Sequence, residues 1–365
     1  LFSCETKQLF IFVLRKVNKA SLKYSDLRKK ILNIFKYAAF TLLGVFLFWL
    51  VYRGQDFSRI FQTLKNDVDY RWVALSLFLG LLSHLSRTLR WKIALEPLGE
   101  KPRTINAFIA VMASYFMNLL LPRMGEFVRC GLLSKYEKIS FSRLFGTVVT
   151  ERIVDLIMVL ILLLTVSIVE MDKVVEFGQQ NPAVVGNILS ILKSPILWGV
   201  LLVMIVGLAW YLKRSKNKEG KNKLETMIHD FASGIRSVLA MKRYKAYIAH
   251  TILIWTLYFL MLYVVFFSLG FTRHLSPFAG LTTFVMGSFG MVAPVQAGIG
   301  AWHFMVEKAL NLYGVASADG KIFALLAHTA TNAMILLAGA ISIIALPFVN
   351  KHYRAKTHPE CDTAD

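Results

Sequence analysis

The 365-residue chain is 56% hydrophobic and 18% charged, with a mean hydropathy of +0.54, and its apolar residues come in blocks of membrane-spanning length, which excludes a soluble globular domain. Its formal charge of +20 sits mainly between those blocks; cytoplasmic positive bias and anionic lipid headgroups account for it there, so nucleic acid is not expected as a partner. Cys4, Cys130 and Cys361 lie far apart without metal or redox spacing, and no metal or cofactor is expected.

In chain order, residues 1–36 hold nine Lys/Arg against Glu5 and Asp26, which places the arm 1–34 in the cytoplasm. Leu27, Ile31, Ile34 and Phe35 recur at helical spacing and lay that arm along the membrane surface. No cleavable signal peptide is expected, because the first long apolar run follows the basic arm. That run, 35–52, is the first span. A short mixed-charge loop, 53–72, suits the outer side, and 73–91 returns inward to end in Arg87, Arg90 and Trp91. Residues 105–133 are broken at Pro122 and Gly125. The piece 105–121 could just cross a bilayer, whereas 127–133 makes about 10 Å of helix and cannot. The pair therefore reads as a re-entrant hairpin, whose irregular backbone must be buried in protein or line a wet cavity.

The segment 134–143 is basic and reads as cytoplasmic, 144–169 crosses outward, 170–194 suits the outside and 195–212 returns. The loop 213–247 carries ten Lys/Arg against three acids. Within it Leu224, Met227, Ile228, Phe231, Ile235 and Val238 follow a helical period, which predicts an amphipathic helix on the cytoplasmic leaflet. Then 247–269 crosses outward, 271–276 turns, and 277–312 is broken from Pro294 to Gly300. The last span, 322–348, ends beside Lys351, Arg354 and Lys356, before a cytoplasmic tail, 349–365.

Each half thus reads as span, hairpin, span, and the halves start on opposite faces. The expected fold is an all-α integral membrane protein, a polytopic helical bundle over 35–348 with two re-entrant hairpins in an inverted repeat. Both termini are expected in the cytoplasm, in the cell's inner membrane. Residue correspondence between the halves is thin: Pro122 with Pro294, and Gly125 with Ala297 or Gly298.

Charged residues inside apolar sequence are costly in lipid and usually face a protein interior, a cavity or each other. Glu126 with Arg129 (i, i+3) and Glu151 with Asp155 (i, i+4) therefore read either as an internal ion-pair network or as a polar path for a headgroup. Gly298 and Gly300 serve a sharp turn or direct ligand contact. His303 and His328, each taken alone, read as satisfied interior histidines. The acid pair has no histidine nearby in sequence to complete a metal site. No nucleophile–base pair or metal constellation accompanies the cluster, so an enzyme is not expected, and with no Walker-type loop in the sequence energy coupling stays open.

Three motifs, Arg87-x-x-Arg90-Trp91, Asn118-x-x-x-Pro122-Arg123-x-Gly125-Glu126-x-x-Arg129 and Glu151-Arg152-x-x-Asp155, resemble the signature of the lysylphosphatidylglycerol synthase transmembrane region, a flippase-like domain. The resemblance covers roughly 35–348. It implies a lipid-translocating or lipid-binding membrane domain with those motif residues at its substrate site. In bacterial resistance proteins of the family this domain is fused to a cytosolic aminoacyl-transferase domain; 349–365 offers no room for one, so aminoacyl-lipid synthesis is not expected of this chain. The family's second-half motif of Pro, a Gly pair, an apolar residue, Gly and then Glu is matched by Pro294, Ala297, Gly298, Ile299, Gly300 and His303, with Glu307 one turn on. His328 stands where the last span often carries a basic residue. Membrane lipids are the expected partners, with a separate lipid-modifying transferase or a second copy of the chain as further candidates. Three readings stay open in this order: a transporter of anionic phospholipid or isoprenoid-linked headgroups, a subunit presenting lipid to a transferase, and a headgroup enzyme.

Overall fold

A computed structural model describes residues 42–121, 123–180, 223–293, 295–351 and 353, with isolated positions between 181 and 222. The basic arm, the start of the first span, most of the 195–212 span, Pro122, Pro294 and the end of the tail lie outside the described residues. The described chain is helical throughout and contains no strand.

Four apolar runs fold as helices long enough to cross a membrane: Tyr70–Leu98, Phe141–Val169, Tyr244–Ser268 and Ser317–Val349. Each coincides with one of the expected spans to within a few residues, because about 20 apolar residues in a row leave no polar face with which to do anything else. In chain order the helices are α1 (Leu42–Tyr52), α2 (Phe57–Asn66), α3 (Tyr70–Leu95), α4 (Thr104–Leu120), α5 (Gly125–Glu137), α6 (Phe141–Val169), α7 (Met171–Gln180), α8 (Lys223–Leu239), α9 (Tyr244–Tyr263), α10 (Pro277–Gly290), α11 (Ala301–Asn311) and α12 (Ser317–Val349). Local chemistry sets several starts. Asp56 and Asp69 accept backbone N–H groups at the heads of α2 and α3, and Ser276 caps α10 ahead of Pro277.

One expectation is revised, and a second finds its helix. The segment 53–72 is not a plain loop, since it holds α2, whose Ile60 is buried with Tyr52 of α1 and Ile322 of α12. The amphipathic helix of the 213–247 loop exists as α8 and packs on α6. It crosses α6 at a glycine pair: a Cβ on Gly146 would strike the Phe231 carbonyl, and one on Gly234 the Arg143 carbonyl. Ala232 and Ile235 are buried there, and Asp230 binds Arg143 and Ser140 of the α6 head. The side chains of Leu224, Met227, Ile228 and Val238 lie outside the described residues.

Several helix pairings of the first half have counterparts in the second, while those of α3 with α6 and with α12 have none as extensive. α3 packs on α4 as α9 does on α10, α4 on α5 as α10 on α11, and α5 on α6 as α11 on α12. Across the halves α4 meets α12 and α10 meets α6, while α3 meets α9. Gly339 brings α12 against Met112 and Phe116 of α4, so small residues set the closest approaches. At the foot of α4, Asn106 and Asn350 exchange amide bonds of 2.9 Å, and Glu137 accepts from Asn106 and from the Tyr353 hydroxyl. Desolvation, then the bond to Glu137, pushes the Tyr353 phenol above its ordinary pKa.

Candidate functional site

The acids and arginines of the apolar sequence converge. Arg87 and Arg90 share one face of α3, and Glu151 and Asp155, one turn apart on α6, face them. Arg87 Nη1 lies 2.5 Å from Glu151 Oε1 and 3.2 Å from Asp155 Oδ2, and Arg90 Nη2 lies 2.9 Å from Asp155 Oδ1. Arg129 reaches in from α5 with both Nη atoms on the Glu151 carboxylate, at 3.0 and 3.3 Å. Arg152 adds a 2.8 Å contact to Glu151 and 3.4 Å to Glu126. Glu151 therefore meets four guanidinium groups. The expected i, i+3 partner of Arg129, Glu126, is only a distant neighbour at 3.8 Å. Trp91 lies under the Arg129 guanidinium at 3.8 Å and donates its Nε1–H to Thr147, which fixes the ring.

Helix breaks form the second component. Gly125 donates its N–H to the Asn118 side chain at 2.8 Å, and a Cβ there would collide with the Ser114 carbonyl, so only glycine fits the α4–α5 turn. Arg123 has φ of +62°, and in the other break Ala297 has +50° and Gly300 +80°. The two breaks touch: the Arg123 guanidinium donates to the Val292 carbonyl at 3.4 Å and Gln296 Nε2 to the Leu120 carbonyl at 3.1 Å.

Second-half site candidates are uncharged or turned away. The rings of His303 and His328 stand edge to face with centroids 4.4 Å apart. His303 is buried against Phe48 and Tyr52, and its Nδ1 accepts the Gly300 N–H at 3.3 Å. His328 Nε2 donates to the Ala297 carbonyl at 2.8 Å, and Asn332 sits 3.0 Å from its Nδ1. Gly298 and Gly300 lie tight against Met291 and against α1, so both serve the turn and close packing. Glu307 accepts from Ser317 and Asn311, away from the histidines.

Between the halves lies a cavity of about 450 Å³. On the first-half wall stand His84, Arg87, Tyr115, Arg152 and Asp155; on the second-half wall Trp255, Tyr258, Trp302, His328 and Asn332. Of the expected site residues, Arg87, Arg152, Asp155 and His328 line it. Arg90, Glu126, Arg129 and Glu151 stand behind Arg87 and Arg152 as ionic support. Asn118, Arg123, Gly125, Gly298, Gly300 and His303 shape the breaks. Tyr115, Trp255, Tyr258, Trp302 and Asn332 were not expected. Trp255 and Tyr258 are three apart on α9, and Asn332 follows His328 by one turn, the only sequence signals that pointed to them.

The model of the family described as the lysylphosphatidylglycerol synthase TM region matches residues 34–339. A UPF0104 membrane protein of Methanocaldococcus jannaschii is 34% identical over 109 residues, which is 29% of this chain and 32% of that protein's length. A UPF0104 membrane protein of Methanothermobacter thermautotrophicus is 23% identical over 254 residues, 65% of this chain and 74% of the relative. No solved structure matches the chain.

Proposed function

The chain belongs to the lysylphosphatidylglycerol synthase transmembrane region family, and from that premise we propose that it translocates lipid between leaflets. An anionic headgroup, of a phospholipid or an isoprenoid-linked lipid, enters the cavity while its tails stay in the bilayer. The observation that carries this reading is the cavity itself, about 450 Å³ between the halves, with Arg87, Arg152 and Asp155 on one wall and aromatic and amide side chains on the other. That mixture suits an amphipath with one charged end. In this reading the arginines and carboxylates hold charge and carry out no covalent chemistry.

The two broken elements act as hairpins entered from opposite faces, with both termini in the cytoplasm. The mutual contacts of Arg123 with Val292 and Gln296 with Leu120 support a meeting of the tips, as transporter repeats do near the midplane. Cysteines at Met124 and Gln296 are then expected to react with impermeant thiol reagents from the inner and outer face respectively.

The direct test is lipid crossing in reconstituted vesicles carrying a fluorescent phosphatidylglycerol analogue in both leaflets. An external reductant erases only the outer leaflet when lipid does not cross, and the protein is expected to take erasure well beyond it. Erasure that stops at the outer leaflet with folded protein, and no lipid retained through purification, refutes the reading.

A further inference from the structure

The ionic cluster is not neutral. Among the described residues it holds four arginines, Arg87, Arg90, Arg129 and Arg152, against three carboxylates, Glu126, Glu151 and Asp155. Side-chain exposure separates the arginines sharply: 4%, 0% and 2% for the first three, against 43% for Arg152. Arg87 reaches the cavity, but its guanidinium is committed to Glu151 and Asp155, with its Nε on the Tyr258 hydroxyl at 3.2 Å. The three acids are shared among all four arginines, Arg152 lying 2.8 Å from Glu151, 3.4 Å from Glu126 and 3.5 Å from Asp155, so the cluster as a whole carries one surplus positive charge. Its most exposed cation is Arg152, on the wall of the cavity, where a further anion can reach it.

A single unbalanced charge in apolar surroundings is costly until a counter-charge reaches it, and a second counter-charge recreates the problem with opposite sign. We infer that the cavity selects amphipaths bearing one net negative charge, with a phosphodiester against Arg152. A zwitterionic headgroup leaves the cluster with its surplus charge, and a phosphomonoester, doubly charged above its second ionisation near pH 6, overshoots. The wall also offers an uncharged donor. The Tyr115 and Tyr258 hydroxyls are 2.9 Å apart, and their mutual bond uses only one of the two hydroxyl protons. Arg152 is the binding cation in this scheme, and Asp155 sets the count. The inference rests on the lipid-handling reading above and narrows its substrate class.

The test uses the full chain in detergent at pH 8, with native mass spectrometry of the lipid retained from equal mixtures of phosphatidylglycerol, phosphatidylcholine and phosphatidic acid. Wild type is expected to favour phosphatidylglycerol over both others by about tenfold. Arg152→Gln should lose the preference over phosphatidylcholine, and Arg152→Lys should keep it. Asp155→Asn is near-isosteric and leaves Arg90 its 3.2 Å contact with Glu151; by adding one unit of surplus charge it should move the preference towards phosphatidic acid by about tenfold. Thermal unfolding establishes that each variant is folded, and the wild-type comparison decides the matter if one is not. Wild-type preference for phosphatidic acid, or preferences that ignore both substitutions, overturn charge counting and leave lipid handling standing. No selective retention of any lipid overturns both.

Discussion

The two breaks in the chain solve one problem with different chemistry. The first, around Gly125, is surrounded by full charges: Glu126 and Arg129 follow it at once, and Arg129 reaches the Glu151 hub. The second, around Gly298 and Gly300, is held by two histidines, one accepting the Gly300 N–H and the other binding the Ala297 carbonyl. Both leave the helix through residues of positive φ. Irregular backbone inside the bundle thus needs a satisfied surrounding and does not need ions. The ions of the first half must then be explained by something besides the turn.

The largest expected effect sharpens that contrast. Glu151→Gln leaves four arginines facing two acids, and removing one member of a buried ionic set costs about 3–5 kcal/mol. Detergent thermal unfolding should show the loss, and near-wild-type stability would mean that the cluster is hydrated. Exchanging Glu126 and Arg129 by the double substitution Glu126→Arg, Arg129→Glu should be nearly as damaging. The i, i+3 spacing suggests a self-contained pair, but position 129 faces Glu151 at 3.0 Å, so the swap sets acid against acid. Recovery of stability in the double variant, relative to Arg129→Gln, would show the pair to be independent after all.

A smaller effect is expected in the neutral break. Gly300→Ala places a side chain at φ of +80°, where the Cβ meets Leu47 and the Phe48 nitrogen. Holding a non-glycine residue in that backbone conformation costs about 1–3 kcal/mol, and the contact loosens α1 from α11. A cysteine pair linking α1 to α11 should cross-link less efficiently in this variant, and unchanged cross-linking would place the strain elsewhere. Least affected is Arg152→Gln. With 43% of its side chain exposed, stability should stay within about 0.5 kcal/mol while lipid selectivity falls. A large stability loss there would return Arg152 to the scaffold.

Much of this arrangement was written in the sequence. The spans at 73–91, 144–169, 247–269 and 322–348 stood out because hydropathy over 20 residues has few alternative outcomes. Glu151, Arg152 and Asp155 stood out because acids in such a run demand partners. Which partners was not legible. Arg129 bypasses Glu126 for a carboxylate 22 residues away, a choice made by the packing of α5 on α6. The stripe of α8 fits a leaflet or a protein groove equally well, and its crossing of α6 at Gly146 and Gly234 was not legible in it. The aromatic wall of the cavity escaped notice for the same reason, since Trp255 and Trp302 read as ordinary span residues until two distant helices face each other.

The bond between Asn106 and Asn350 spans 244 residues, and it fixes an order of events during synthesis. α4 leaves the ribosome early, but the helix on which it packs, α12, is the last of the described helices to be made. Until then α4 has its Asn106 amide bound only within its own half, and a face shaped around Gly339 is bare. The part of the cavity wall that α12 supplies, His328 and Asn332 among it, therefore cannot be in place until a helix more than 200 residues after Asn106 has been made.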